Sequence, residues 1–115
     1  MQRGDVYLVD LDPARGSEST KVRPAVVVSN NAANRTAERN GRGVVTVVPV
    51  TSNTDRVYPF QVLLPAGEGG LTADSKAQAE QVRSIDYERL RRRVGTVTPA
   101  KLGRLDEALR LHLAL

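Results

Sequence analysis

"KVRPAVVVSN" (21–30) carries four apolar residues, Ala25 to Val28, with Arg23 and Pro24 standing at the mouth of the run. The run reads as a strand, over about 23–30, entering a core. Proline biases the residue before it towards extended geometry, so a permanently charged side chain is held in line with a buried strand. A second stretch, "VVTVVPVTSNT" (44–54), repeats the plan with an apolar run that ends in Thr51. Its first eight residues are β-branched and nearly continuous, the pattern of a strand buried on both faces. Pro49 cannot donate to a ladder and marks a bulge or an edge. Two buried strands that deliver an Arg and a Thr make two halves of one candidate site.

Around these strands the chain reads as short β segments. "DVYLVDL" (5–11) is a first strand, followed by a long polar loop, "DPARGSESTK" (12–21). Residues 30–43 are polar, with room for a short helical turn. "SNTDR" (52–56) is a turn, "YPFQVLLP" (58–65) a fourth strand, and 66–75 a glycine-rich loop. The alternation in "KAQAEQVRSI" (76–85) favours a strand, "DYERLRR" (86–92) a helical turn, and "RVGTV" (93–97) a short strand. The last segment is helical: Thr98 suits an N-cap, Pro99 the first helical position, and Leu102, Leu105, Ala108 and Leu109 recur at helical spacing. The expected fold is mainly β (α+β): a small β-barrel or curved antiparallel sheet with a C-terminal helix packed on it.

The chain has 115 residues, enough for a single domain (1–115) with one core. Four aromatic residues leave that core to Val, Leu, Ala and Ile. No apolar run reaches the length of a membrane span, and no signal segment is expected before "MQRGDVYLVD". The absence of cysteine excludes disulfides and thiolate metal sites and fits a cytoplasmic location. A net charge of +4, carried mostly by Arg, suits a polyanionic partner without naming one.

The inventory of reactive side chains is short. His112, the sole histidine, sits among leucines in the terminal helix and reads as a helix residue, partly buried or solvated. Asp10 and Asp12 read as strand-end and turn residues rather than a metal pair, and "GEGG" (67–70) lacks the pattern of a phosphate-binding loop. Arg23, Thr51, Ser17, Ser52, Asn53, Gln78, Gln81 and Arg83 remain. Such groups clamp a phosphate and stabilise developing negative charge. RNA carries its own nucleophile in the 2′-hydroxyl, so internal attack on the phosphate calls for no protein nucleophile, metal or cofactor.

Five blocks in this order, "RGDVYLVDLDPARGSE" (3–18), "RPAVVVSN" (23–30), "VVPVTSN" (47–53), "AEQVRSID" (79–86) and "LDEALRLHLAL" (105–115), resemble the MazF/PemK family of toxin endoribonucleases across nearly the whole chain. The resemblance implies an SH3-like β-barrel and a homodimer from a type II toxin–antitoxin system. It further implies metal-independent cleavage of single-stranded RNA at short sequences, leaving 2′,3′-cyclic phosphate and 5′-hydroxyl ends. The implied partner is a MazE-like antitoxin whose acidic tail occupies the RNA groove. The family's catalytic Arg falls on Arg23, its Thr on Thr51, and the Ser of its first loop on Ser17. The loop 12–22, with Lys21, and the segment 52–57, with Ser52 and Asn53, are expected to flank the groove. Gln78, Gln81 and Arg83 are candidates for contacts to bases or phosphates, and "RLRRR" (89–93) is either a solvated basic turn or an aid to RNA attraction. Lys76 and Gln78 stand where many relatives carry apolar residues. Two other readings are a gyrase poison of the related CcdB type, against which stand the absence of Trp and the Arg/Thr pair, and a barrel that binds RNA without cutting it.

Overall fold

The computed structural model describes residues 1–13, 15–18 and 21–115. Ala14, Ser19 and Thr20 of the expected polar loop lie outside these. Seven strands form one antiparallel, curved sheet: β1 (Asp5–Asp10), β2 (Val22–Val27), β3 (Val44–Thr51), β4 (Gln61–Leu64), β5 (Ser75–Gln78), β6 (Arg83–Asp86) and β7 (Leu90–Thr96). Their order is β4-β5-β3-β2-β1-β7, with β6 also on β3. Among the described residues β4 and β7 do not pair, so the sheet curls without closing into a barrel.

The near-continuous apolar runs follow from burial on both faces. Alternation along β2 and β3 sends Val26, Val48 and Val50 to one core, with Val6, Val62, Leu64 and Ala77. It sends Ala25, Val27, Val45 and Val47 to the other, with Val9, Leu11 and Ile85. Helix α2 (Pro99–Leu113) covers the first core through Leu105 and Ala108. Helix α1 (Asn31–Asn40) covers part of the second through Ala37. The α2 cap is as expected from sequence: the Thr98 hydroxyl accepts from the Lys101 N–H, and Pro99 is the first helical residue.

Several parts of the structure differ from the sequence reading. Residues 31–40 form a ten-residue helix, longer than the turn expected. Asn30 caps its start and Gly41, in the left-handed region, caps its end. The strand expected over 76–85 is β5 and β6, separated by a 3₁₀ turn at 79–81. Both segments pair with the same edge of β3, and the turn takes up a three-residue offset between their registers. The irregularity expected at Pro49 therefore belongs to the partner segment, while Pro49 pairs in register with Ala25. Phe60 is half-buried and stacks on exposed Tyr58 at 5.3 Å.

Candidate active site

Arg23 and Thr51 face each other across a gap that the sheet itself opens. The β2–β3 register ends at the Ala25–Pro49 pair. Towards its start, β2 stays with β1, through Leu8–Pro24, Val9–Arg23 and Asp10–Val22. Towards its end, β3 goes with β5, through Val50–Ala77 and Thr51–Lys76. The two strands part, and a cleft of about 300 Å³ lies between them. Lys21, Arg23, Thr51 and Ser52 line it from the strand ends, Leu71, Thr72 and Ala73 from the loop before β5, and Ser75 from the start of β5. Rigid paired backbone thus presents a guanidinium and a hydroxyl to one volume, the arrangement a phosphate clamp needs.

Local geometry fixes both rims. The Thr51 hydroxyl oxygen accepts from the Asn53 N–H (3.2 Å), and the Asn53 side-chain oxygen accepts from the Asp55 N–H (3.2 Å). These bonds bend the chain after Thr51. No described group takes the Thr51 hydroxyl proton, which leaves it for a ligand. On the opposite rim Lys21 adopts a left-handed backbone (φ 66°), and its N–H donates to the Asp12 carboxylate (2.8 Å). A lysine in that conformation is uncommon, and the surrounding bonds hold it there.

Of the residues singled out in the sequence, Arg23, Thr51, Lys21 and Ser52 meet on the cleft. Ser17, Asn53, Gln78, Gln81 and Arg83 are not among its lining. Gln81 and Arg83 instead hold the β1–β2 loop: the Gln81 amide donates to the Ser17 carbonyl (2.9 Å) and Arg83 to the Leu11 carbonyl (3.3 Å). Arg89 joins them by donating to the carbonyls of Asp10 (3.1 Å) and Asp12. Gln78 pairs across β4–β5 with buried Gln61.

Lys76 was noted in the sequence only as a departure from relatives, yet it is buried directly opposite Thr51. Its ammonium donates to the Arg56 carbonyl (2.5 Å) and so ties down the loop that follows Thr51. Directly opposed residues share a face of a sheet, so a Lys at this pairing position is the signal that could have found it. His112 is exposed, with its ring 6.5 Å from that of Phe60.

The chain is similar to known proteins along nearly its whole length. Residues 2–113 match the family model described as PemK-like, MazF-like toxin of type II toxin–antitoxin system. The chain is 66% identical over 115 residues to endoribonuclease MazF9 of Mycobacterium tuberculosis, covering 100% of this chain and 98% of that one. It is 34% identical to endoribonuclease EndoA of Bacillus subtilis, covering 100% and 96%. Among solved structures, MazF from Deinococcus radiodurans superposes with a TM-score of 0.83 at 28% identity, covering 100% and 97%. A mycobacterial endoribonuclease in complex with its cognate antitoxin gives 0.78 at 30% identity, covering 100% and 96%. With nearly its whole length matched in sequence and in fold, this chain belongs to the PemK-like, MazF-like toxin family of type II toxin–antitoxin systems.

Proposed function

We propose that the chain is the toxin of a toxin–antitoxin pair and a sequence-specific endoribonuclease that cuts single-stranded RNA at the Arg23–Thr51 cleft. The observation that carries this is the placement of Arg23 and Thr51 on one cleft between diverging strands, in a chain whose relatives are named endoribonucleases. In the reaction the 2′-oxygen bonds to phosphorus as the bond to the 5′-oxygen breaks. The 2′-proton is lost, and the leaving 5′-oxygen gains one. The products carry a 2′,3′-cyclic phosphate and a 5′-hydroxyl.

Arg23 binds the scissile phosphate and stabilises the charge that grows on its oxygens. A guanidinium does not readily give up a proton, so its role is electrostatic. Thr51 donates its hydroxyl proton to a phosphoryl oxygen or orients the 2′-hydroxyl. Ser17 lends a hydroxyl from the β1–β2 loop. Lys21, Ser52 and Asn53, with Gln78, Gln81 and Arg83 behind them, position the flanking nucleotides. The enzyme acts without a metal, as a cytoplasmic homodimer, and a MazE-like antitoxin blocks it by laying an acidic tail in the groove. No helix is long and apolar enough to cross a membrane among the described residues.

The test is to incubate a long single-stranded RNA with the purified protein in excess EDTA, map the new ends by primer extension and assay them for cyclic phosphate. Discrete cuts are expected from the wild type. Arg23→Ala and Thr51→Ala should each lose about 10²–10³ in rate, the usual cost of removing one preorganised donor. Both should keep the wild-type melting temperature. Folded variants that cut at the original rate would overturn the assignment.

A further inference from the structure

The run "RLRRR" (89–93) is divided by the fold among three tasks. Arg89 holds loop carbonyls. Arg91 pairs with the Asp10 carboxylate (3.1 Å), and Arg93 with that of Asp5 (3.5 Å). Arg92 is exposed, and among the described residues it has no hydrogen bond or ion pair. Alternation along β7 sends it to the face opposite Arg91 and Arg93. There, with Val94, it lines a second cavity of about 280 Å³. That cavity shares Pro24, Leu71 and Thr72 with the active-site cleft, so the two adjoin.

We propose that Arg92 forms a phosphate-binding subsite beside the cleft that takes a backbone phosphate of single-stranded RNA outside the recognised motif. This rests on the reading of the cleft as the site of RNA cleavage. No Asp or Glu is among the residues that line either cavity. Lys21 and Arg23 line the cleft, and Arg92 lines the second cavity. The two share Thr72 and an apolar floor of Pro24 and Leu71, suited to ribose and base. The wall bearing Arg92 is fixed by close packing. A Cβ on Gly70 would collide with the Val94 carbonyl, and one on Gly95 would come within 2.5 Å of the Gly69 carbonyl oxygen. Only glycines allow the loop before β5 to lie this close to β7.

The experiment uses two RNAs around the mapped cut, each with one 2′-deoxynucleotide at the scissile position so that it is bound and not cut. The shorter spans only the recognised motif; the longer adds three nucleotides on each side. Affinities of wild type, Arg92→Gln and Arg92→Lys are measured against salt concentration. For the longer RNA, Arg92→Gln should weaken binding about fivefold and reduce the slope of log K against log salt by about 0.7, the loss of one single-strand phosphate contact. Arg92→Lys should restore the slope, and the shorter RNA should bind all three proteins alike. An unchanged slope, or equal losses on both RNAs, would overturn the subsite while the cleavage reading stands. A folded wild type that binds neither RNA would overturn both. A melting temperature equal to wild type excludes misfolding of the exposed-strand variant.

Discussion

Lys76 carries a charge into a sheet interior, where an unpaired ammonium would be costly. Its position explains why it is there. The stem lies beside Thr51 on one face, and the head reaches the Arg56 carbonyl over a loop with little regular structure of its own. Lys76→Met keeps the stem and removes the donor, so the core tolerates it while the loop 52–57 loosens. The expected result is a melting temperature at or near the wild-type value and a KM for RNA raised about tenfold, the weight of one hydrogen bond from a charged group. Steady-state kinetics beside a thermal melt check this, and an unchanged KM would mean that the loop holds its place without Lys76. Arg23 and Thr51 were legible from sequence because each ends an apolar run. Lys76 was not, since its meaning depends on a pairing partner 25 residues away in the chain.

The two helices differ in the same way. In α2 a capping hydroxyl, a proline and a leucine repeat all point to one answer. In α1 the residues are "NAANRTAERN", which include good helix formers but no large apolar residue, and the buried ones are Asn34 and Ala37. The helix is anchored by an amide rather than an apolar stripe. Asn34, fully buried, accepts from the Ser29 hydroxyl (2.5 Å) and donates to the Ser29 carbonyl (2.8 Å). The Ser29 hydroxyl oxygen in turn accepts from the Thr46 N–H (3.1 Å), which ties the end of β2, α1 and β3 together. A periodicity search weighs apolar residues and passes over such an anchor. Asn34→Ala should strand the Ser29 groups, destabilise the fold by about 2 kcal/mol and lower Tm by roughly 8 °C. A variant that melts with the wild type would show that the amide is dispensable. The break in the expected strand at 79–81 was hidden for a related reason. Alternation continues across it in the sequence, while the three-residue offset exists only relative to β3.

At the scale of the whole molecule, the chain is gathered by the pairing of its first strand with its last, and carboxylates line that seam. Asp5 of β1 is buried, accepts from the Gln2 N–H (2.9 Å) and the Thr96 hydroxyl (2.8 Å), and faces Arg93. Burial alone would raise its pKa. The Gln2 and Thr96 bonds and the Arg93 charge outweigh burial and hold the carboxyl below the ordinary 3.8. Asp10 is likewise held low, by the Asp12 N–H and then by Arg91. A carboxyl that binds its proton less readily when folded than when unfolded stabilises the fold above the unfolded pKa, and that stability is lost as pH falls through the folded value. Stability should therefore vary little from pH 7 to 5 on account of these groups and fall below about pH 4, where unfolded carboxyls take up protons first. Asp5→Asn removes the titrating group while keeping the side-chain shape. It should cost roughly 1 kcal/mol at neutral pH, where the charged bonds are intact, and little at pH 3, where the wild type has begun to lose them. Thermal melts of both proteins from pH 3 to 7 check this. The two curves should converge as the pH falls, because the advantage of the wild type is the charge on the seam, and parallel curves would place the acid sensitivity elsewhere in the fold.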